Sequence, residues 1–136
     1  MGYTDAEVRF LRSQRLGRIA TVSGAGEPDV APVGFELAGD EIAIGGMDIS
    51  RTRKYLNVKA TGRAAFVVDE LVSVEPWQPR GLKIVGAARI EGPEAGGSIR
   101  IAPQTVWSWG INDDAERHHG MTEKRPFGED PTDDAS

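Results

Sequence analysis

The sequence contains no cysteine, and its two histidines, His118 and His119, are adjacent. Without cysteine the chain has no disulfide bond, no thiolate metal ligand and no cysteine nucleophile. Neighbouring histidines with no further sulfur or imidazole ligand make a poor metal site, so we expect no metal. Residues 1–112 also lack the histidine that a Ser-His-Asp triad requires. Zinc-dependent and triad-based hydrolysis are therefore not expected.

Long hydrophobic runs are also missing. The sequence has no stretch of about 18 apolar residues, which is the length that spans a bilayer as a helix. Its first residues lack the charged segment followed by an apolar segment that marks a secretory signal. A chain of 136 residues is long enough for one domain with a substantial core. We therefore expect a soluble, cytoplasmic protein without a membrane partner.

Excess charge of one sign is confined to the C-terminal end. Residues 113–136 hold eight acidic and three basic residues, so they carry the whole net charge of -5, and residues 1–112 are neutral. Apolar residues become rare after residue 112. The sequence thus predicts a folded domain over 1–112 and an acidic, disordered tail over 113–136. A neutral body argues against a nucleic-acid partner, because such binding usually needs an extended basic face.

The spacing of turns and apolar residues predicts a mainly β fold with about six strands and two short helices. The first helix is expected after Thr4, where Thr4 and Glu7 have the spacing of a capping box. After this helix, two strands are expected in the hairpin "RIATVSGAGEPDVAPVGFEL". One strand is then expected in each of four later segments, "EIAIGGM", "RAAFVVDE", "LKIVGAARIEG" and "SIRIAPQTVWSWGI". Trp107 and Trp109 fall on one face of the last strand, which is typical of packing in a core or a dimer interface.

The second helix is expected in "SRTRKYLNVKATG". Ser50 is the predicted N-cap, with Asp48 as the alternative. Tyr55 and Leu56 are predicted to face the core, and Gly62 is a natural C-terminal stop.

Positive charge is concentrated at the start of this second helix. Arg51, Arg53 and Lys54 lie in its first turns, directly after the strand that ends with Gly45 and Gly46. Cations at a helix N-terminus are unfavourable for the helix by a few tenths of a kcal/mol or more, so a compensating anion is expected. Backbone N–H groups, hydroxyls and cationic side chains together form a good phosphate site. The alternative is a basic helix face in contact with water.

The ordered set of segments resembles the pyridoxamine 5'-phosphate oxidase-like split β-barrel superfamily. It is most similar to the short actinobacterial branch that binds flavins or the deazaflavin coenzyme F420. The resembling segments are "LGRIATVSGAGEPDVAPVGF", "SRTRKYLNV", "GRAAFVVDE", "PWQPRGLKIVGAARI" and "IRIAPQTVWSWGI", which together cover about residues 5–112. The resemblance implies a six-stranded split β-barrel with two or more short helices. It also implies a homodimer with the cofactor at the subunit interface.

The resemblance further implies where the cofactor binds. Its phosphate would be held between the third strand and the following helix, by Ser50, Arg51, Arg53, Lys54 and Asn57. Its ring would lie along the second and third strands, near Val33, Gly34, Gly45 and Gly46.

Two residues of "EPWQPRG" would lie near the ring in the family arrangement. Trp77 would cover the ring or the substrate. Arg80 would meet a second anionic group or stabilise the reduced, anionic ring. The alternative for this segment is a loop fixed by proline, with Trp77 in a packing role.

No residue is an obvious general acid or base, so the catalytic residues are unknown. This fits hydride transfer, in which the cofactor carries the chemistry. The resemblance implies an F420-dependent oxidoreductase that acts on a small conjugated molecule. Two alternatives remain open: an FMN-binding oxidoreductase, and a non-catalytic carrier or sensor of a flavin or F420. F420 and FMN both bear phosphate, so the positive charge of Arg51, Arg53 and Lys54 does not distinguish between these two cofactors.

Overall fold

Eight strands and two α-helices make up the described part of the chain. The computed structural model describes residues 2–93, 96–112 and 123–128. The elements are α1 (Asp5–Ser13), β1 (Leu16–Val22), β2 (Pro28–Gly34), β3 (Glu36–Ala38), β4 (Glu41–Ile44), α2 (Arg53–Thr61), β5 (Arg63–Ser73), β6 (Gln78–Glu91), β7 (Ser98–Trp109) and β8 (Glu123–Pro126). A short 3-10 turn, Ile49–Arg51, precedes α2. The predicted mainly β class is confirmed.

All strands join one antiparallel sheet in the order β2-β1-β5-β6-β7-β4-β3, with β8 added beside β7. One edge of β7 pairs with β6 along its length. The other edge is divided, because β4 pairs with residues 99–101 and β8 pairs with residues 105–108. The sheet curls into the split-barrel form that the sequence predicts.

The predicted count of six strands is wrong, because two short strands lack a strong sequence signal. The three-residue β3 follows β2 after a single residue, and it turns back into β4 through Gly39 and Asp40. Gly39 has a φ of 63° there, a conformation that glycine adopts without strain. The second additional strand, β8, lies in the acidic C-terminal segment.

Residues 123–128 fall within the segment that the sequence predicts to be disordered, whereas the structure pairs residues 123–126 with β7. Arg125 of β8 donates to the carboxylate of Glu7, with Nη1 2.9 Å from Oε2. Phe127 packs on Tyr3, with ring centroids 4.8 Å apart. This order depends on contacts with the N-terminal residues, which the composition of the segment does not reveal. The remainder of the predicted tail, with His118 and His119, lies outside the described residues.

Helix α1 has the predicted N-terminal geometry. Thr4 Oγ1 accepts a hydrogen bond from the Glu7 backbone N–H at 3.1 Å, and Glu7 Oε1 accepts from the Thr4 N–H at 2.9 Å. This reciprocal capping box satisfies two donors that helix formation leaves unpaired. Phe10 and Leu11 are buried on one face of the helix and anchor it to the sheet.

The core lies on the concave face of the sheet. The central strands alternate between buried and outward-facing residues, as period-two geometry requires. The larger side chains that are almost fully buried are Leu11, Ile19, Ile42, Ile44, Tyr55, Phe66, Leu82, Ile84, Ile99 and Ile101.

Candidate cofactor site

The basic segment enters α2 through the 3-10 turn, and its cap differs from the prediction. Thr52 is the N-cap of α2, and its Oγ1 accepts from the Tyr55 N–H at 3.4 Å. The same hydroxyl donates to the Ile49 carbonyl at 2.6 Å. Ser50 lies two residues earlier, inside the 3-10 turn, and Asp48 makes no side-chain cap. The prediction of Ser50 or Asp48 as N-cap is therefore wrong.

The rest of α2 follows the prediction in two respects and departs from it in one. Gly62 ends the helix in a left-handed conformation, with a φ of 70°. Tyr55 is 2% exposed and lies in the core. Leu56, the next residue, is 47% exposed, so its predicted core position is wrong. Adjacent residues of a helix point about 100° apart, and the core-facing stripe here includes Tyr55 and Val58 instead.

Three cations surround the N-terminus of α2 without partners among the described residues. Arg51 and Arg53 are exposed and Lys54 is half-buried, and none of them forms an ion pair in that part of the chain. The first turn of α2 contains no acidic residue. The helix dipole and the three side chains therefore all add positive potential at one place. Such an arrangement favours binding of a phosphate group.

Arg53 also lines a small cavity of about 240 Å³. Glu27 and Asp29 lie in the same cavity wall, and these carboxylates oppose an anion near the Arg53 side chain. Among the three cations, Arg51 and Lys54 are consequently the better candidates for direct contact with phosphate.

Asn57 was predicted to help bind the cofactor, but its side chain lies in the core. It is 1% exposed, and its Nδ2 donates to Thr21 Oγ1 at 3.0 Å. This buried bond ties α2 to β1 and satisfies both polar groups. The Asn57 side chain therefore faces the core in this structure, and its contact with the cofactor stays a prediction.

The structure brings together two of the four residues predicted to lie along the ring. Gly34 and Gly45 line one open groove of about 640 Å³. The groove follows the edge where β2 passes into β3 and where β4 ends. Val33 is only 7% exposed and belongs to the core, while Gly46 is exposed but does not line the groove.

The groove also contains charged residues that the sequence reasoning missed. Arg15, Glu36 and Arg100 line it together with Phe35, Ala43 and Ser98. Arg100 alternates with the buried Ile99 and Ile101, so its outward direction was readable from the strand pattern. The proximity of Arg100 to Arg15 was not readable from the sequence, because only the tertiary fold places the start of β1 beside β7 and β4.

The predicted ring-covering residues belong to a different part of the fold. Trp77 is 56% exposed in the turn between β5 and β6. The Arg80 Nε donates to Glu70 Oε1 at 2.6 Å, and its guanidinium lies 5.0 Å from the Phe10 ring centroid. Hydrogen bonds from Gln14 and then Arg80 lower the pKa of the Glu70 carboxyl. Arg80 is thus engaged within the chain and is a poor candidate for an anionic ring edge.

Trp107 and Trp109 lie on the outward face of β7, opposite the buried Val106 and Ser108. Lys83 Nζ lies 4.2 Å from the Trp107 ring centroid, a favourable cation–π distance. The two tryptophans are therefore not core residues, and their place in a dimer interface stays a prediction.

None of the helices among the described residues is long and apolar enough to cross a membrane. The cytoplasmic location stays a prediction.

The chain belongs to the pyridoxamine 5'-phosphate oxidase family, whose model matches residues 3–109. A curated relative is the 5a,11a-dehydrotetracycline/5a,11a-dehydrooxytetracycline reductase of Streptomyces rimosus. It is 40% identical over 124 residues, which cover 84% of this chain and 87% of the relative. The predicted family resemblance is confirmed.

Two solved structures share the fold at lower identity. One is an F420 reductase, with a TM-score of 0.59 and 20% identity over 72% of this chain and 93% of that one. The other is an FAD binding protein from Mycobacterium smegmatis, with a TM-score of 0.58 and 22% identity over 76% of this chain and 91% of that one. At these identities the likeness establishes the fold alone.

Proposed function

We propose that this chain is an F420-dependent oxidoreductase that reduces a small conjugated molecule. The observation that carries this proposal is the 40% identity, over 84% of the chain, to a reductase of dehydrotetracyclines. An identity of this level extends beyond the fold to the class of reaction. It supports an oxidoreductase more directly than it supports any one cofactor.

The residues present fit a phosphate-bearing cofactor. The N-terminus of α2 offers backbone N–H groups, and Arg51 and Lys54 stand beside it without an ion pair in the described residues. Gly34 and Gly45 provide a groove wall without side chains, which suits the close approach of a flat ring. When bound, a reduced deazaflavin or flavin supplies the hydride.

The protein's own part in the reaction is binding and orientation. Asn57 and Thr21 hold α2 against β1, and Thr52 fixes the direction in which the first turn of α2 points. A fixed phosphate anchor limits the positions that a ring in the groove can take. Holding the two reactants in one geometry is itself a large part of catalysis.

A homodimer is part of the proposal, because the outward face of the sheet carries one apolar row that runs across four strands. Val30, Ala20, Ala65 and Val85 are successive cross-strand neighbours on this face. Val30 is 67% exposed, whereas the solvent face of an antiparallel sheet is normally polar. A second copy of the chain would cover this row, and the cofactor would bind at the resulting interface.

The first test is the Arg51→Ala/Lys54→Ala double variant, titrated with F420 and followed by fluorescence. We expect affinity to fall by about 2 kcal/mol or more, roughly 30-fold, because charge-assisted phosphate contacts are lost. The control is Arg9→Ala/Arg12→Ala, which removes the same charge from the exposed face of α1. Unchanged F420 affinity in the first variant would refute the phosphate site.

The same titration with FMN tests the second candidate function. The family model, that of a pyridoxamine 5'-phosphate oxidase, and the fold shared with an FAD binding protein favour a flavin as the alternative. A clear preference for FMN would replace F420 in the proposal by FMN. Tight cofactor binding without reduction of any conjugated acceptor would instead support a carrier or sensor.

A further inference from the structure

The groove beside Gly34 and Gly45 has chemistry that the cofactor proposal does not use. Its volume of about 640 Å³ lies within the range of small-molecule clefts. Its walls come from the α1–β1 junction, from β2 and β3, from the end of β4 and from the start of β7. Two arginines, Arg15 and Arg100, are among the residues that line it.

The charge of Arg100 is already shared within the protein. Its Nη1 donates to Glu41 Oε1 at 3.2 Å. Glu41 also accepts two hydrogen bonds from Arg89, at 2.6 and 3.0 Å, so that one carboxylate joins both arginines. The Arg89 hydrogen bond is the first of the interactions that lower the pKa of Glu41, so the carboxylate stays charged. This network fixes the Arg100 side chain as part of the groove wall.

Arg15 differs from Arg100 in having no ion pair within the described ranges of the chain. It lies between the end of α1 and the start of β1, where its backbone carbonyl is close to Gly34. Glu36 lines the same groove without pairing to it. Arg15 is therefore an exposed groove residue whose positive charge has no ion-pair partner in the described ranges, and Glu36 is a groove residue of opposite charge.

We propose that Arg15 is a specificity-determining residue, which selects substrates carrying an anionic oxygen, a carboxylate or an enolate. This inference rests on the proposed function, because the substrate would enter the groove beside the ring. An exposed guanidinium forms charge-assisted, two-point hydrogen bonds with such a group. Glu36 repels the same group, so it restricts where in the groove the anion lies.

The test compares two probes of equal shape, 2-naphthoate and its uncharged amide, 2-naphthamide. Binding to the full chain saturated with F420 is measured by calorimetry. We expect the chain to prefer naphthoate about tenfold, as one charge-assisted interaction predicts. The preference should disappear in Arg15→Gln and persist in Arg12→Gln, an exposed arginine on the neighbouring helix turn. Glu36→Gln should increase naphthoate affinity about twofold by removing a like charge.

Two results would overturn the proposal. One is the absence of a naphthoate preference in the unaltered chain, and the other is a preference that survives in Arg15→Gln. If Arg15→Gln weakens F420 itself while naphthoate binding is unaffected, Arg15 contacts the cofactor and the substrate role is wrong. If F420 fails to bind at all, the proposed function fails, but the same probe comparison on the cofactor-free chain still decides the role of Arg15.

Discussion

Replacement of Arg125 by methionine is predicted to cause a large loss of stability, with a characteristic dependence on pH. The Glu7 side chain is 0% exposed, and Arg125 contacts both of its oxygens. Burial raises the pKa of the Glu7 carboxyl, but the hydrogen bonds from Arg125 and Thr4 outweigh burial, so its pKa is lowered overall. Methionine retains much of the packing volume and removes only the charge and the hydrogen bonds.

The magnitude follows from leaving a buried carboxylate without its counter-charge. Breaking a buried pair in this way costs about 3–5 kcal/mol. Glu7 keeps its hydrogen bonds from the Thr4 N–H and from Asn112 Nδ2, at 2.9 and 3.2 Å. We therefore expect the free energy of unfolding to fall by an amount at the lower end of this range, about 3 kcal/mol at pH 7. This corresponds to a fall in Tm of about 10 °C.

The pH dependence gives the sharper test. In the unaltered chain the lowered pKa of Glu7 contributes stability above the unfolded pKa of about 4.3, and this is lost as pH falls through the folded pKa. In Arg125→Met, burial still raises the pKa of Glu7, but the Arg125 hydrogen bonds that lower it are gone. The pKa of Glu7 therefore rises, and keeping the carboxylate ionised costs stability. The stability difference between the two proteins should accordingly grow from about pH 3 to pH 7.

Urea unfolding at several pH values measures this difference. The double variant Glu7→Gln/Arg125→Met serves as the control, because a neutral glutamine retains the capping geometry without a buried charge. It should be more stable than Arg125→Met at pH 7. A loss below about 1 kcal/mol in Arg125→Met, or a loss that does not change with pH, would refute the reasoning.

Two further predictions concern the cap of α2 and the dimer. Thr52→Ala should destabilise the chain by about 1 kcal/mol in chemical unfolding, whereas Ser50→Ala should change stability little, because only Thr52 caps the helix; equal losses would contradict this cap assignment. Val30→Glu should convert the proposed dimer into a monomer in sedimentation experiments, since it places a charge in the exposed apolar row. A monomeric unaltered chain, or a variant that remains dimeric, would refute the proposed interface.

Much of the fold could be predicted because its signals are local. The capping box at Thr4 and Glu7, the helix stop at Gly62 and the alternation along β7 each depend on residues a few positions apart. Such patterns reflect the geometry of one helix turn or one strand, and they are readable without a partner. The basic segment at the start of α2 is readable for the same reason, since its three charges lie within residues 51–54.

Local sequence patterns are least informative where a distant contact decides. The composition of residues 123–128 does not predict a strand, but Arg125 in this segment donates a hydrogen bond to the buried Glu7 near the other end of the chain. Arg80 was predicted to be available to a ligand, and it pairs with Glu70 across the β5–β6 hairpin. The family resemblance implies a binding role for Asn57, yet its side-chain amide donates to Thr21.

Both helices, the strands other than β3 and β8, the family and the position of the basic segment are readable from the sequence alone. Which charges remain available to a ligand depends on the three-dimensional arrangement of the chain. Arg15, Arg80 and Arg100 are alike in the sequence as single arginines, but Glu70 engages Arg80, Glu41 holds Arg100, and Arg15 stands unpaired among the described residues. The physical reason is that a charge is neutralised through space, by carboxylates that the fold brings within a few ångströms, and not by its neighbours along the chain.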